Sequence, residues 1–163
     1  MKNNNIIYLI GMPGSGKTYL GKKLANIFGY HFIDLDFYIE TKENKTIEEI
    51  ISENSESYFR NLEREHLLNL AVDKVIVDKV INNQKIIISC GGGLPCYFDN
   101  INLLKFSGKV IYLDTSLWKI YKRCLKSNRR PLFKNKITLF FKLLKTKKKR
   151  LPYYLQADYT IKL

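Results

Sequence analysis

The chain has 163 residues, of which 45% are hydrophobic and 26% are charged. Because a domain usually holds roughly 100–200 residues, we expect residues 1–163 to form a single domain. No apolar stretch approaches the ~20 residues of a membrane-spanning helix, and no signal-peptide cleavage site follows the MKNNN segment, so we expect a cytoplasmic protein with no membrane partner. The net charge of +13 comes from scattered lysines and favours a solvated surface over a nucleic-acid face.

The first predicted element is a short apolar strand over residues 6–10, which leads into GMPGSGKT at residues 11–18. This segment fits the pattern G-x-x-x-x-G-K-[ST] at every position. Its glycines let successive backbone N–H groups converge on one anion, and the helix that follows adds its positive end. A lysine at this place contacts the β- and γ-phosphates, and the hydroxyl after it binds Mg²⁺. The pattern therefore predicts a nucleoside triphosphate site, with Lys17 and Thr18 in these roles.

A helical pattern over residues 16–28 follows, and Gly29 stands where a C-terminal cap belongs. Residues 30–35 alternate as a short strand does, and two carboxylates, Asp34 and Asp36, come at its end. We expect both side chains on the same side of this strand, at the carboxyl edge of the sheet where α/β folds bind ligands. For either aspartate alone, a helix N-cap or a solvated loop acid is an equally good interpretation.

The middle of the chain alternates between helices and strands. Helical patterns cover 37–41, 46–51 with a Thr-x-x-Glu capping box, and a longer stretch from Ser55 through Val75 and Val80. The nearly all-apolar segment KIIISC at 85–90 suits a strand buried on both faces, and it ends in Gly91, Gly92 and Gly93. Three glycines after a buried strand favour a ligand against bare backbone over a plain turn.

The remaining elements complete an alternating series. They are a helix over about 99–104, a strand over 109–113, a helix over 117–125, a lid over about 126–136, a helix over 137–149 that Pro152 should stop, and a strand over 159–163. Strands that alternate with helices predict a parallel sheet with right-handed crossovers and helices on both faces.

The groups gathered at one edge of this sheet could transfer a phosphoryl group. That reaction needs a phosphate cradle, Mg²⁺, mobile cations and a carboxylate that faces the acceptor hydroxyl. Asp34 could hold the hydration shell of the metal, and Asp36 could accept a proton from the acceptor alcohol. Arg60 and Arg150 are candidates for a bidentate grip on an anion such as a carboxylate, although an arginine in a surface ion pair is an equally common situation.

Six motifs in register resemble those of the shikimate kinase family. They are GMPGSGKT at 11–18, FIDLD at 32–36, FRNLE at 59–63, GGG at 91–93, RPL at 130–132 and RLPYY at 150–154. The resemblance implies ATP-dependent phosphorylation of the 3-hydroxyl of shikimate, a step towards chorismate and the aromatic amino acids. It also implies a three-layer α/β P-loop fold of the nucleoside monophosphate kinase type, with a five-stranded parallel sheet in the order 2-3-1-4-5. We expect a monomer.

The resemblance also implies a role for individual residues of these motifs. The catalytic residues would be Lys17, Asp36 and Arg130. ATP would contact Gly14, Ser15, Gly16, Lys17, Thr18, Arg123 against the adenine, and Arg130 on the lid. The substrate-binding helices would lie within about 37–64. Shikimate would be bound by Asp36, Arg60, Glu63, Gly91, Gly92, Gly93 and Arg150. Within this set, Glu63 would orient Arg60. Mg²⁺ would be held by Thr18 directly and by Asp34 and Ser89 through water.

One departure and two alternatives accompany this interpretation. Family members usually continue past the last strand into an adenine-contacting loop and a final helix, whereas this sequence stops at Leu163, so we expect weaker ATP binding or poorer nucleotide discrimination. A related P-loop kinase of small molecules or nucleoside monophosphates would share the loop at 11–18. A non-enzymatic nucleotide-binding or nucleic-acid module would account for the positive charge.

Overall fold

The computed structural model describes residues 5–70, 84–126 and 136–163. The strands are β1 Ile6–Ile10, β2 His31–Asp34, β3 Ile86–Ser89, β4 Lys109–Asp114 and β5 Tyr159–Lys162. The helices are α1 Lys17–Phe28, α2 Leu35–Glu43, α3 Ile47–Glu53, α4 Glu56–Leu70, α5 Asn100–Ser107, α6 Leu117–Lys126 and α7 Lys136–Tyr154, with a 3₁₀ turn at Leu94–Cys96. None of the helices in these ranges is both long and apolar enough to traverse a bilayer.

All four strand pairs are parallel, and the sheet order β2-β3-β1-β4-β5 confirms the prediction. Alternating side chains of β1 belong to two apolar cores. Leu9 shares one with Ala25 of α1, and Tyr8 belongs to a larger one that includes residues of helices α2 to α7. Every residue of β3 is buried, as expected for a strand covered on both sides.

The parallel register brings three strand ends to the same level. Ser89 at the end of β3 pairs with Asp34 at the end of β2 on one side and with Leu9 of β1 on the other. Because parallel strands all point the same way, the phosphate loop after β1 and the triple glycine after β3 meet at this one edge. The sheet therefore places the predicted site residues next to one another.

The prediction for Asp34 and Asp36 was wrong in one respect. The two carboxylates do not share one side of a strand, because β2 ends at Asp34 and α2 begins at Leu35. The Asp34 side chain accepts a hydrogen bond of 3.4 Å from the Phe37 N–H, and such an N-cap starts a helix at once. Asp36 consequently lies in the first turn of α2.

Pro152 does not stop the last helix, which continues to Tyr154. A proline removes one N–H donor and crowds the preceding turn, yet here it lies only two residues before the helix end. Tyr154 is fully buried, stacks on Tyr112 at 5.1 Å between ring centroids, and donates a 2.6 Å hydrogen bond to the Gly92 carbonyl. Packing of Tyr154 thus offsets the cost of the proline. The predicted extension of α4 through Val75 and Val80 and the lid over 127–135 lie outside the described residues.

Candidate active site

The phosphate loop, residues 11–18, has the backbone conformation that the motif requires. Gly16 caps α1 with a φ of 99°, and a Cβ on Gly11, whose φ is 143°, would lie 2.9 Å from the Leu113 carbonyl oxygen. The Lys17 ammonium donates hydrogen bonds of 3.0 Å to the carbonyls of Gly11 and Met12. Burial lowers the pKa of Lys17 to about 8, although the Asp36 charge favours its protonated form. The lysine is therefore held over the loop as a buried cation.

Oxygen atoms cluster where the loop meets the ends of β2 and β3. The Thr18 hydroxyl donates a 2.7 Å hydrogen bond to Asp34 Oδ2, and it lies 3.5 Å from the Ser89 hydroxyl. One carboxylate and two hydroxyls at this spacing form a hard-oxygen donor set of the kind that Mg²⁺ prefers. The three residues predicted for the metal are thus adjacent.

A cleft of about 380 Å³ opens beside the phosphate loop. Its lining includes Gly14, Lys17, Thr18, Tyr19 and Arg123. Arg123 Nη1 donates hydrogen bonds of 3.0 Å to the carbonyls of Gly14 and Ser15, which joins α6 to the loop. Of the predicted ATP contacts in the described residues, all but the fully buried Ser15 line this one cleft.

Asp36 and Glu63 approach the same point from α2 and α4. A Cβ on Gly91 would lie 2.8 Å from Asp36 Oδ1 and would clash with Glu63 Oε1. Burial raises the pKa of Asp36, and the Asp34 charge raises it further. Burial also raises the pKa of Glu63 to about 7, against the opposing effect of Arg60. Any side chain at residue 91 would push these carboxylates apart, so glycine keeps the site open.

Arg60 lies against Gly93 and contacts two glutamates and an aromatic ring. Its Nη1 donates a 2.7 Å hydrogen bond to Glu63, and its Nη2 donates one of 3.0 Å to Glu56. The guanidinium lies over the ring of Tyr97 at 4.7 Å, and a Cβ on Gly93 would come within 2.8 Å of its Cζ. The side chain of Arg60 is only 11% exposed, so it is not the surface ion pair of the alternative interpretation.

Arg150 reaches the same region from α7. Burial is the main cause that lowers the pKa of Lys17 and raises that of Glu63, and the positive charge of Arg150 acts to lower the pKa of both groups. The hydrogen bond from Tyr154 to Gly92 fixes this end of α7 against the triple glycine. Gly92 in turn touches the loop, since a Cβ there would lie 2.6 Å from Pro13 Cδ. Both arginines are therefore on the Lys17 side of the molecule.

Within the ranges the structure describes, four buried side-chain polar atoms have no hydrogen-bond partner, and all four belong to this site. They are Ser15 Oγ, Arg60 Nε, Glu63 Oε1 and Arg150 Nη1. Buried polar atoms are nearly always paired, so a cluster of exceptions marks a place built to receive polar ligand atoms. Two of the four are guanidinium nitrogens, which selects an anion such as a carboxylate.

Sequence reasoning missed several residues of the site. Tyr19 lines the ATP-side cleft, Tyr97 and Glu56 contact Arg60, and Tyr154 anchors Gly92. Helical spacing could have revealed Glu56, which precedes Arg60 by one turn. Arg130, predicted to close over the phosphates, lies outside the described residues.

The site combines a phosphate loop, an adjacent oxygen cluster, a buried carboxylate near the loop lysine, and two arginines with buried nitrogens that lack partners in the described residues. These features are typical of a P-loop kinase that acts on a small anionic alcohol. The chain matches the family model described as shikimate kinase over residues 13–162. It is 38% identical to the shikimate kinase of Persephonella marina over 155 residues, which cover 95% of this chain and 87% of that protein. The chain therefore belongs to the shikimate kinase family.

Solved structures show the same relationship. The 1.7 Å crystal structure of shikimate kinase from Bacteroides thetaiotaomicron matches with a TM-score of 0.86 at 34% identity, covering 96% of this chain and 85% of that one. Shikimate kinase from Acinetobacter baumannii in complex with shikimate matches with a TM-score of 0.78 at 31% identity, covering 99% of this chain and 85% of that one. The fold is therefore the one found in solved shikimate kinases.

Proposed function

We propose that this protein transfers the γ-phosphoryl group of ATP to the 3-hydroxyl of shikimate. The observation that carries the proposal is the placement of Arg60 Nε and Arg150 Nη1, both buried and without partners in the described residues, beside Asp36 and the phosphate loop. A carboxylate bound between the two guanidinium groups would satisfy both nitrogens. The substrate hydroxyl would then lie between the arginines and the terminal phosphate.

The loop side of the site binds the donor. The loop residues Gly14, Ser15 and Gly16 would contact the phosphates, although the Ser15 N–H donates a 3.0 Å hydrogen bond to the Met12 carbonyl in this structure. Lys17 would move from the carbonyls that it now contacts to the transferring phosphoryl group. The carbonyls of the loop hold Arg123 at the cleft, where it would lie against the adenine. Arg130 is proposed to neutralise charge on the phosphates.

The residues at the strand ends fit a Mg²⁺ ion. The Thr18 hydroxyl would bind it directly, while Asp34 and Ser89 would hold its water molecules, consistent with the hydrogen bond that already joins Thr18 to Asp34. When bound, the ion neutralises charge on the phosphates.

The α2 and α4 side binds the acceptor. Asp36 accepts the proton of the attacking hydroxyl as the new oxygen–phosphorus bond forms and the bond to the β-phosphate oxygen breaks. Arg60 and Arg150 hold the carboxylate, and Glu63 orients Arg60 through the 2.7 Å ion pair. Gly91, Gly92 and Gly93 leave room for the ring.

An acceptor panel tests this proposal. The full chain would be assayed for ADP release from MgATP with shikimate, gluconate and AMP, and the product would be identified by ³¹P NMR. We expect turnover with shikimate alone and a phosphate ester at its 3-oxygen. Turnover only with AMP would support a nucleoside monophosphate kinase, and salt-sensitive binding to RNA or DNA in the absence of any turnover would support a nucleic-acid module. The single domain, the monomeric state and the cytoplasmic location stay predictions.

A further inference from the structure

The Arg60 guanidinium forms ion pairs with two carboxylates that differ greatly in solvent exposure. Glu63, on Nη1, is 1% exposed, whereas Glu56, on Nη2, is 58% exposed. Both glutamates lie on α4, at one turn before and just under one turn after Arg60. Only Glu56 can leave the arginine without crossing packed protein, because its remaining surface faces solvent.

Glu56 is held in place by charge-assisted hydrogen bonding. Its Oε1 accepts 3.0 Å from Arg60 Nη2 and 3.2 Å from the Tyr97 hydroxyl, and the bond from Arg60 lowers the pKa of Glu56. The carboxylate is therefore ionised at neutral pH. In this arrangement Glu56 occupies one nitrogen of Arg60 with an anion.

The position that Glu56 takes is one that a substrate carboxylate needs. Nε and Nη2 form one edge of the guanidinium fork, and a carboxylate binds that edge with two parallel hydrogen bonds. Here Nη2 is occupied by Glu56, while the buried Nε has no partner in the described part of the chain. Nη2 has two N–H groups, so Glu56 does not exhaust its donors, but a second carboxylate on this edge would place another negative charge beside the same nitrogen. The repulsion between the two carboxylates opposes that arrangement as long as Glu56 stays in place.

We propose that Glu56 competes with the carboxylate of shikimate for Arg60 and is displaced when the substrate binds. This inference rests on the proposed function. Glu56 then lowers the affinity for shikimate by the free energy of its own ion pair with Arg60, and Tyr97 strengthens that competition by donating to the same oxygen. The Tyr97 ring, which lies over the guanidinium, stays in place during the exchange.

The test is the affinity of the full chain for shikimate, measured by calorimetry without ATP. Glu56→Gln should bind shikimate about two- to five-fold more tightly than wild type, the range that an exposed ion pair of ordinary strength produces. Tyr97→Phe keeps the ring and removes the donor, and should change the affinity in the same direction by a smaller factor.

Glu53→Gln is the matched control. Glu53 is also a partly exposed glutamate, at 49%, it forms an ion pair with Lys45, and its replacement removes the same charge. This variant should bind shikimate as wild type does. The methyl ester of shikimate, which carries no carboxylate charge, gives a second comparison, and the gain of Glu56→Gln should be confined to the acid.

Each outcome decides the inference. Equal or weaker binding of shikimate by Glu56→Gln would show that Glu56 supports Arg60 instead of competing for it. Equal gains in Glu56→Gln and Glu53→Gln, or an equal gain for the ester, would assign the effect to net charge or to general structure. These results overturn the inference and leave the proposed function intact, whereas a wild-type chain that neither binds nor phosphorylates shikimate overturns both.

Discussion

Replacing Gly93 by alanine should separate substrate binding from stability. Gly93 has φ −93° and ψ −26°, which any residue adopts, so the backbone tolerates a side chain. The new Cβ would lie 2.8 Å from Arg60 Cζ and 2.9 Å from both terminal nitrogens, closer than real contacts allow. Because the guanidinium is the far end of a flexible side chain, it can move at little cost to stability, but it then leaves the anion site.

The expected loss follows from the hydrogen bonds that Arg60 gives up. A bond to a charged group contributes about 1.5–3 kcal/mol, so the Kd for shikimate should rise about 10- to 100-fold while the free energy of unfolding changes by less than about 1 kcal/mol. Calorimetric titrations with shikimate and with MgADP, together with urea denaturation, measure both quantities. Gly92→Ala is the control, because its Cβ would meet the rigid Pro13 ring at 2.6 Å and should lower stability instead. Unchanged shikimate affinity in Gly93→Ala, or an equal loss for MgADP, would refute the reasoning.

Three further substitutions test the chemistry and its electrostatics. Asp36→Asn should reduce turnover by about 10²- to 10⁴-fold in the ADP-release assay with an unchanged melting temperature, and a fully active variant would rule out Asp36 as the proton acceptor. Arg130→Ala should cost turnover on the order of 10³-fold if this arginine acts on the transferring phosphoryl group, and normal kcat would exclude that role. Glu63 has a folded-state pKa of about 7, above its ordinary 4.5, so its contribution to stability is full below 4.5 and is lost as the pH rises through 7. Glu63→Gln should not show this loss, so its free energy of unfolding should rise relative to that of wild type by about 3 kcal/mol between about pH 4 and pH 8. Urea denaturation of both proteins at the two pH values measures this difference, and an unchanged difference would contradict the prediction.

Local signals explain which elements could be predicted from the sequence. The phosphate loop, the buried β3 and the capping box of Thr46 and Glu49 each depend on residues within a few positions of one another, and all three are present as predicted. The boundary between β2 and α2 was wrong because apolar alternation continues to Leu35, while the cap at Asp34 starts the helix earlier. The prediction that Pro152 stops the last helix was wrong because the contacts of Tyr154 with Gly92 and Tyr112 cannot be seen in the local sequence.

The candidate site also combines features that the local sequence predicts with contacts that depend on tertiary packing. Sequence placed Arg60 and Glu63 on one helix at a spacing where side chains meet, and the structure has them 2.7 Å apart. It could not show that the triple glycine presses against Arg60, Glu63 and Pro13, because those contacts depend on how β3 and α4 pack in space. Tyr97 was missed for this reason, since its ring reaches Arg60 only after the turn that follows the glycines.

The four unpartnered polar atoms have an energetic consequence for the protein as a whole. A buried donor or acceptor without a partner costs about 1–3 kcal/mol, and here every such atom in the described chain lies at the phosphate loop or beside the two arginines. These atoms are therefore a local source of instability, and a ligand that supplies the missing partners recovers that free energy as affinity. A carboxylate could accept hydrogen bonds from Arg60 Nε and Arg150 Nη1, while Glu63 Oε1, which lies beside Gly91, could accept one from a donor such as a hydroxyl. An acidic polyol offers both kinds of group in one small molecule, and neither a plain carboxylate nor a neutral sugar does.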